Sequence, residues 1–245
     1  ILGSDGAGVV VAAADDVSVP AIGDRVFFQA QIGNIRSSTF QRYAAVPAVL
    51  AAPLPHSLSF EQGATLGVAG ITAARALFVA LQLDVPWTAD VVAKNAGKTV
   101  LIWGGSTSVG HLAHTIDYKA PDVVDQIRAL TNGNLTHAFD TTGPGSQPSF
   151  DALSKSAAST LAIINPDNVQ GKDAFANRTV SSVFGSSHAD VNFASLFWSF
   201  FSSKLKEGKI IPQDTRVIGG LDKIVEAQAE QIAGKVSSQK LIAIP

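Results

Sequence analysis

The sequence predicts an α/β protein, with a parallel sheet covered by helices and a smaller β-rich region beside it. Three observations carry this reading. The run Thr99, Val100, Leu101, Ile102, Trp103 is continuous rather than alternating, as suits a strand buried on both faces. Helix and strand patterns then alternate, with helices expected at 121–130 and 149–156 and strands at 136–139 and 160–164. The first fifty residues instead read as short strands joined by turns.

Taken in order, a strand is expected at 9–11 after a glycine-rich opening, then a turn at Gly23 and Asp24 and a strand at 25–28. Residues 51–59, with Pro53 and Pro55, read as a linker. Ser59 is an N-cap, with Glu61 and Gln62 in the first turn, and helical spacing continues through Ala73, Ala76, Leu77 and Ala80. Helices are expected at 193–206 and 221–232 and a last strand at 240–244; 180–184 reads equally as an edge or a core strand. The expected domains are a β-rich substrate domain of 1–60 with 213–245, and a sheet domain of 61–212 with a gap near 111–115.

Composition narrows the class. Of 245 residues, 46% are hydrophobic and 16% charged, which suits a globular chain. A formal net charge of −2, with signs interspersed, lacks the basic footprint of a nucleic-acid binder. No apolar run approaches the roughly 18 residues that span a bilayer, so no membrane association is expected. Without cysteine there are no disulfides, thiol catalysis or thiolate metal ligands, and a cytoplasmic location fits. The chain has no methionine and opens at Ile1 with no leader, and so reads as a fragment. Among His56, His111, His114, His137 and His188, only the pair 111/114 has metal-like spacing. No third ligand is evident, so no metal site is expected. His137 reads as a satisfied strand-end histidine.

The chemistry-bearing element is the turn Gly104, Gly105, Ser106, Thr107, Ser108, Val109, Gly110, set between a buried strand and a helix start. Such a turn presents unpaired backbone N–H groups where the helix dipole is positive, which suits a pyrophosphate. Gly105 and Gly110 allow close approach of the backbone, while Thr107 stands at the middle glycine position of the common fingerprint. Taken alone, the pattern also describes a tight turn with no ligand.

Further motifs stand in order along the chain: 2–8 (LGSDGAG), 39–43 (TFQRY), 54–61 (LPHSLSFE), 70–74 (GITAA), 137–143 (HAFDTTG) and 234–241 (GKVSSQKL). With the turn at 104–110, this set resembles the medium-chain dehydrogenase/reductase superfamily, closest to its fungal zinc-independent enoyl reductases and quinone-reductase-like proteins. The resemblance implies a Rossmann-type sheet domain plus a partial GroES-like catalytic domain. It implies hydride transfer from NADPH (NADP as cofactor) to a small-molecule substrate, an activated alkene such as an enoyl thioester or enone, or a quinone. It would place Thr72 near the nicotinamide or its ribose phosphate, though Thr72 reads equally as a helix threonine bonding its own backbone. Ser106 to Val109 would hold the pyrophosphate, Thr141 and Gly143 would sit at the ligand edge of the sheet, and Tyr118 would lie near the adenine-side phosphate. A homodimer through a sheet edge is a further implication. Zinc members carry Gly-His-Glu where this chain has Gly3, Ser4 and Asp5. Asp5 is expected to be structural, Lys235 and Lys240 to be exposed, and Tyr43 to pack against the strand core. No catalytic acid is assigned.

Two departures stand out. An N-terminal β unit of the family is absent, and too few residues follow Gly110 to build a crossover, which needs about a dozen. The abrupt join between 112 and 115 reads as omitted residues. A true deletion would remove half of the adenosine site and support a second reading, a decayed reductase fold acting as a binding or scaffold protein.

Overall fold

A computed structural model describes residues 2–105, 107 and 116–245. The chain divides into two compact units, Ile1–Ile71 with Ser186–Pro245, and Thr72–Gly185.

In the first unit, β1 (Asp5–Val9), β2 (Arg25–Gln29) and β3 (Ala52–Pro53) form an antiparallel sheet in that order. The first strand therefore lies earlier than the valine run suggests. Its pairing with β2 runs from Asp5 to Val9, and at Gly6 a Cβ would stand 2.7 Å from the Phe28 ring, which glycine avoids. Val10 ends the pairing by bonding Asp24, and Val11 is exposed. The expected linker contributes β3.

Ser59 caps α1 (Phe60–Gly63) as expected: its Oγ accepts from the Gln62 N–H, and the Gln62 side chain accepts from the Ser59 N–H. α2 (Gly67–Ala74) follows, and a π-helical turn, Arg75–Ala80, prolongs it. Contrary to the sequence reading, the stretch Phe60–Ala80 is long and apolar enough to cross a membrane by length and composition, with mean hydropathy 1.5. Burial of 56% of its apolar window is what a core helix shows.

In the second unit, α3 (Val91–Asn95) precedes a four-stranded parallel sheet. Its strands are β4 (Val100–Trp103), β5 (His137–Asp140), β6 (Ser159–Ile163) and β7 (Arg178–Ser182), adjacent in chain order. α4 (Val123–Leu130) and α5 (Ser146–Ala152) lie between them in sequence. Alternation sorts the strand residues onto two faces. Trp103, Ala138, Leu161 and Ile163 pack with Ile127 and Phe150 of α4 and α5. Phe139 and Ala162 pack with Ala76, Leu77 and Leu81. Both faces are covered, which is why the strands read as continuous apolar runs. Among the described residues β7 is an outer strand, pairing only with β6, and β4 pairs only with β5.

Arg178, 8% exposed, closes the C-terminal end of α5. Its guanidinium donates to the carbonyls of Phe150, Leu153 and Ser154 at 3.1, 2.8 and 3.0 Å, and lies over the Phe175 ring. A cation at the negative end of a helix, meeting carbonyls that lack helical partners, is held by both effects. Arg178→Met is expected to lower unfolding free energy by about 3 kcal/mol in urea denaturation, because charged hydrogen bonds are lost and carbonyls are left unpaired.

The first unit is completed by α6 (Val191–Lys206), β8 (Asp214–Gly219), α7 (Ile224–Ile232) and β9 (Gln239–Ala243), with β8 and β9 paired in parallel. Asp190 caps α6 by accepting from the Phe193 N–H at 3.0 Å. Trp198 on α6 meets Phe27 edge-on at 5.4 Å and anchors this unit's core.

Candidate functional site

Ligands of open parallel sheets bind outside the carboxyl ends of the strands. In the Thr72–Gly185 unit this edge is formed by the turns after β4, β5, β6 and β7. Gly104 leaves β4 with φ +93°, and a Cβ there would stand 2.3 Å from Thr141 Oγ1 and 2.5 Å from Thr142 Cγ2. Thr107 turns back, its N–H donating to the Gly104 carbonyl at 2.9 Å.

Thr141 ties the turns after β4 and β5 together. Its N–H and its hydroxyl both reach the Trp103 carbonyl, at 3.0 and 2.9 Å. A hydroxyl has one proton and a carbonyl only accepts. The Thr107 hydroxyl, 2.8 Å away, is therefore the donor to Thr141.

Asp140 fixes the second turn from below. Fully buried, it accepts from the Thr142 N–H (2.9 Å), Thr142 Oγ1 (2.8 Å), the Gly143 N–H (3.0 Å) and Ser146 Oγ (2.7 Å). Gly143 has φ +96°, and a Cβ there would meet Asn165, beyond β6, at 2.6 Å. At the end of the row, a Cβ on Gly185 would stand 1.9 Å from Thr72 Oγ1. Thr72 is thus buried beneath the turn after β7.

The structure brings Thr107, Thr141 and Gly143 together, seats Thr72 by Gly185, and leaves Gly105 exposed. No acceptor for the Gly105 N–H appears among the described residues. Ser106, Ser108, Val109, Gly110 and the gap near 111–115 lie outside the described residues, as do His111 and His114. Tyr118 meets the Trp103 ring edge-on at 6.4 Å and is otherwise exposed. Asp140, Asn165 and Gly185 were not singled out from sequence. The signal for Asp140 was present, since Asp followed by Thr-Thr-Gly after an apolar strand is an Asx-turn pattern.

Other expectations need correcting. Tyr43 does not pack against the strand core; it is 73% exposed. Lys240 is not a free surface lysine, because its Nζ lies 2.5 Å from Asp5 Oδ2. The other Asp5 oxygen accepts from the Val68 N–H in the first turn of α2. Asp5 thus serves as a remote cap for that helix. Among the described residues no three His, Cys, Asp or Glu side chains cluster as a metal site.

A cleft of about 340 Å³ lies at the opposite, amino edge of the same sheet, lined by His137, Ser159, Thr160, Asn177 and Thr179. Being at the wrong end of the strands, it is not the candidate site. The His137 imidazole is held below its ordinary pKa of 6.5, first by burial and then by repulsion from Lys98. The folded state therefore binds this proton less readily than the unfolded chain. Stability from this group is present above pH 6.5 and is lost as pH falls through the lowered folded value. His137→Gln is expected to flatten the pH dependence of unfolding in that window.

Comparison with known proteins bears on this arrangement. No protein-family profile matches the chain. An alcohol dehydrogenase superfamily protein from Novosphingobium aromaticivorans superposes with a TM-score of 0.74 at 24% identity, covering 96% of this chain and 77% of that one. The chain shares that protein's fold, a parallel sheet beside an antiparallel one. Fungal trans-enoyl reductases and dehydrogenases are among the proteins it resembles in sequence. It is 28% identical to the trans-enoyl reductase ACTTS2 of Alternaria alternata, over 99% of this chain and 82% of that protein. It is 25% identical to lovC, the enoyl reductase component of the lovastatin nonaketide synthase of Aspergillus terreus, over 98% and 80%. The ACTTS2 match runs over 287 positions, more than the 245 residues here. That relative therefore holds segments within the matched region that this chain lacks.

Proposed function

We propose that the protein is a zinc-independent enoyl reductase that uses NADPH to reduce an activated alkene, an enoyl thioester or enone. The observation that carries this is the exposed Gly105 amide, without an acceptor among the described residues, at the carboxyl edge of the parallel sheet in a chain similar to trans-enoyl reductases. The residues present suit a dinucleotide at its pyrophosphate and nicotinamide ends. Gly105 offers a backbone donor, Gly104 has the left-handed conformation the turn needs, and the turns after β5, β6 and β7 lie along the same edge of the sheet.

When bound, the nicotinamide supplies the hydride; the protein supplies placement. Thr141 and Asp140 hold the two turns rigid, so that the backbone donors are fixed before the phosphates arrive. In this reading Thr72 lies near the nicotinamide ribose, as the family resemblance implies, and it would act from beneath the turn after β7. A homodimer through β7, the outer strand, and a cytoplasmic location complete the proposal. Quinones belong to the same acceptor class but have less support, since the homologues named here are enoyl reductases.

The test is acceptor-dependent loss of NADPH absorbance by the purified chain, with an enoyl thioester, an enone and a quinone in turn. Turnover on the enoyl thioester, unchanged after prolonged exposure to a chelator, is the expected result. No oxidation of NADPH with any acceptor would refute the proposal.

A further inference from the structure

The parallel strands of the Thr72–Gly185 unit carry a polar row near their amino ends. Pairing sets His137 of β5 opposite Thr160 of β6, and Thr160 opposite Thr179 of β7. Such cross-strand neighbours share one face of the sheet, about 4.8 Å apart. Two residues further along, Phe139 and Ala162 of that face are buried against Ala76, Leu77 and Leu81. The helical turn over them ends at Ala80. Leu81 and Gln82, just beyond its end, line the same cleft of about 340 Å³ as the polar row.

Recognition here falls to side chains, because the backbone at this edge is already paired. The Thr160 N–H donates to the Thr136 carbonyl and the Ser159 N–H to the Asn177 carbonyl, each at 2.9 Å. His137 bonds Thr136 Oγ1 through Nδ1 at 2.8 Å, which leaves Nε2 without a partner among the described residues. Ser159, 4% exposed in the wall, has an Oγ that also lacks one. Among the described residues no aspartate or glutamate lines the cleft. The charge that acts on His137 is Lys98, whose ammonium has Asp84 3.5 Å away. Hydroxyls and an imidazole, with a cation near and no carboxylate between them, suit a negatively charged acceptor. The volume falls within the range of small-molecule sites and leaves room for more than a bare ion.

We infer that this cleft is a second binding site, for a small carboxylate or phosphate ester held by its oxyanion at His137 Nε2 and the hydroxyls of Thr160 and Thr179. It lies at the opposite end of the strands from the candidate coenzyme edge and does not rest on the function proposed above. A ligand there bridges β5, β6 and β7, and so stabilises the folded Thr72–Gly185 unit by mass action.

The probes are inorganic phosphate and acetate, added to the full chain at constant pH, with ionic strength held by chloride. The His137 ring signal, assigned by its loss in His137→Gln, is followed by NMR. A saturable shift in the millimolar range is expected, with a rise in the imidazole pKa, because an adjacent anion favours the charged ring. Thr160→Val combined with Thr179→Val removes both hydroxyls while keeping a strand-favouring shape, and should weaken binding about tenfold. Thermal unfolding checks that the variant is folded. Thr179→Val alone, at the exposed end of the row, should weaken binding about threefold and serves if the double variant does not fold. Whichever probe binds more tightly, phosphate or acetate, assigns the ligand class. A response that does not saturate with either probe, or one of equal affinity in the folded valine variants, overturns the inference.

Discussion

Gly104→Ala should remove about 3 kcal/mol of stability and weaken NADPH binding by about a hundredfold. Two independent causes act at this position. A φ of +93° lies outside the range that an L side chain adopts without strain. The added methyl would also press on Thr141 Oγ1 and Thr142 Cγ2 at 2.3 and 2.5 Å, far inside contact distance. Relief can come only from shifting the threonine that bonds the Trp103 carbonyl, and that shift opens the join between β4 and β5. Urea denaturation and fluorescence titration read the two losses separately. A variant that binds NADPH as tightly as the parent would remove this turn from the coenzyme site. Gly23→Ala is a fitting control: its φ is +96°, yet nothing lies within 4 Å of the added carbon, so strain acts there without collision.

Asp140→Ala is expected to cost about 4 kcal/mol, enough to leave a chain of ordinary stability partly unfolded at room temperature. Four donors lose their acceptor at once, two of them backbone amides of a half-buried turn and one the buried Ser146 hydroxyl. Asp140→Asn separates charge from shape. Its amide group keeps one acceptor oxygen but sets an N–H against two donors, so an intermediate loss near 2 kcal/mol should appear. Equal stability of Asn and Asp forms would show that the carboxylate's second oxygen contributes nothing.

Much of the parallel sheet was legible because burial on two faces leaves a continuous apolar run, and Val100 to Trp103 has one. The Ser59 cap was legible for a local reason, since capping depends only on residues three apart. Boundaries failed where distant contacts set them. α5 was expected from 149 to 156 but spans Ser146–Ala152. Pro148 is tolerated inside its first turn, and Arg178 closes its end from another strand. The site followed the same division. Thr107, Thr141 and Gly143 could be picked from separate motifs, but their meeting depends on β4 pairing with β5. The Asp-Thr-Thr-Gly pattern marks a turn at Asp140, but nothing local tells that its carboxylate is fully buried and also meets Ser146 Oγ. The Asp5–Lys240 pair joins residues 235 apart, a separation over which sequence pattern carries no information.

That pair also sets an order of events during synthesis. Thr72–Gly185 is one uninterrupted stretch, so every partner it needs has been made once Gly185 leaves the ribosome. The other unit draws on both ends of the polypeptide. β1 and β2 can pair with each other early, but Asp5 must wait for its ion-pair partner until Lys240 emerges, at a translation speed of about 5–20 residues per second. α6, β8 and β9 can join this unit only after the last residue of the parallel-sheet unit has been made.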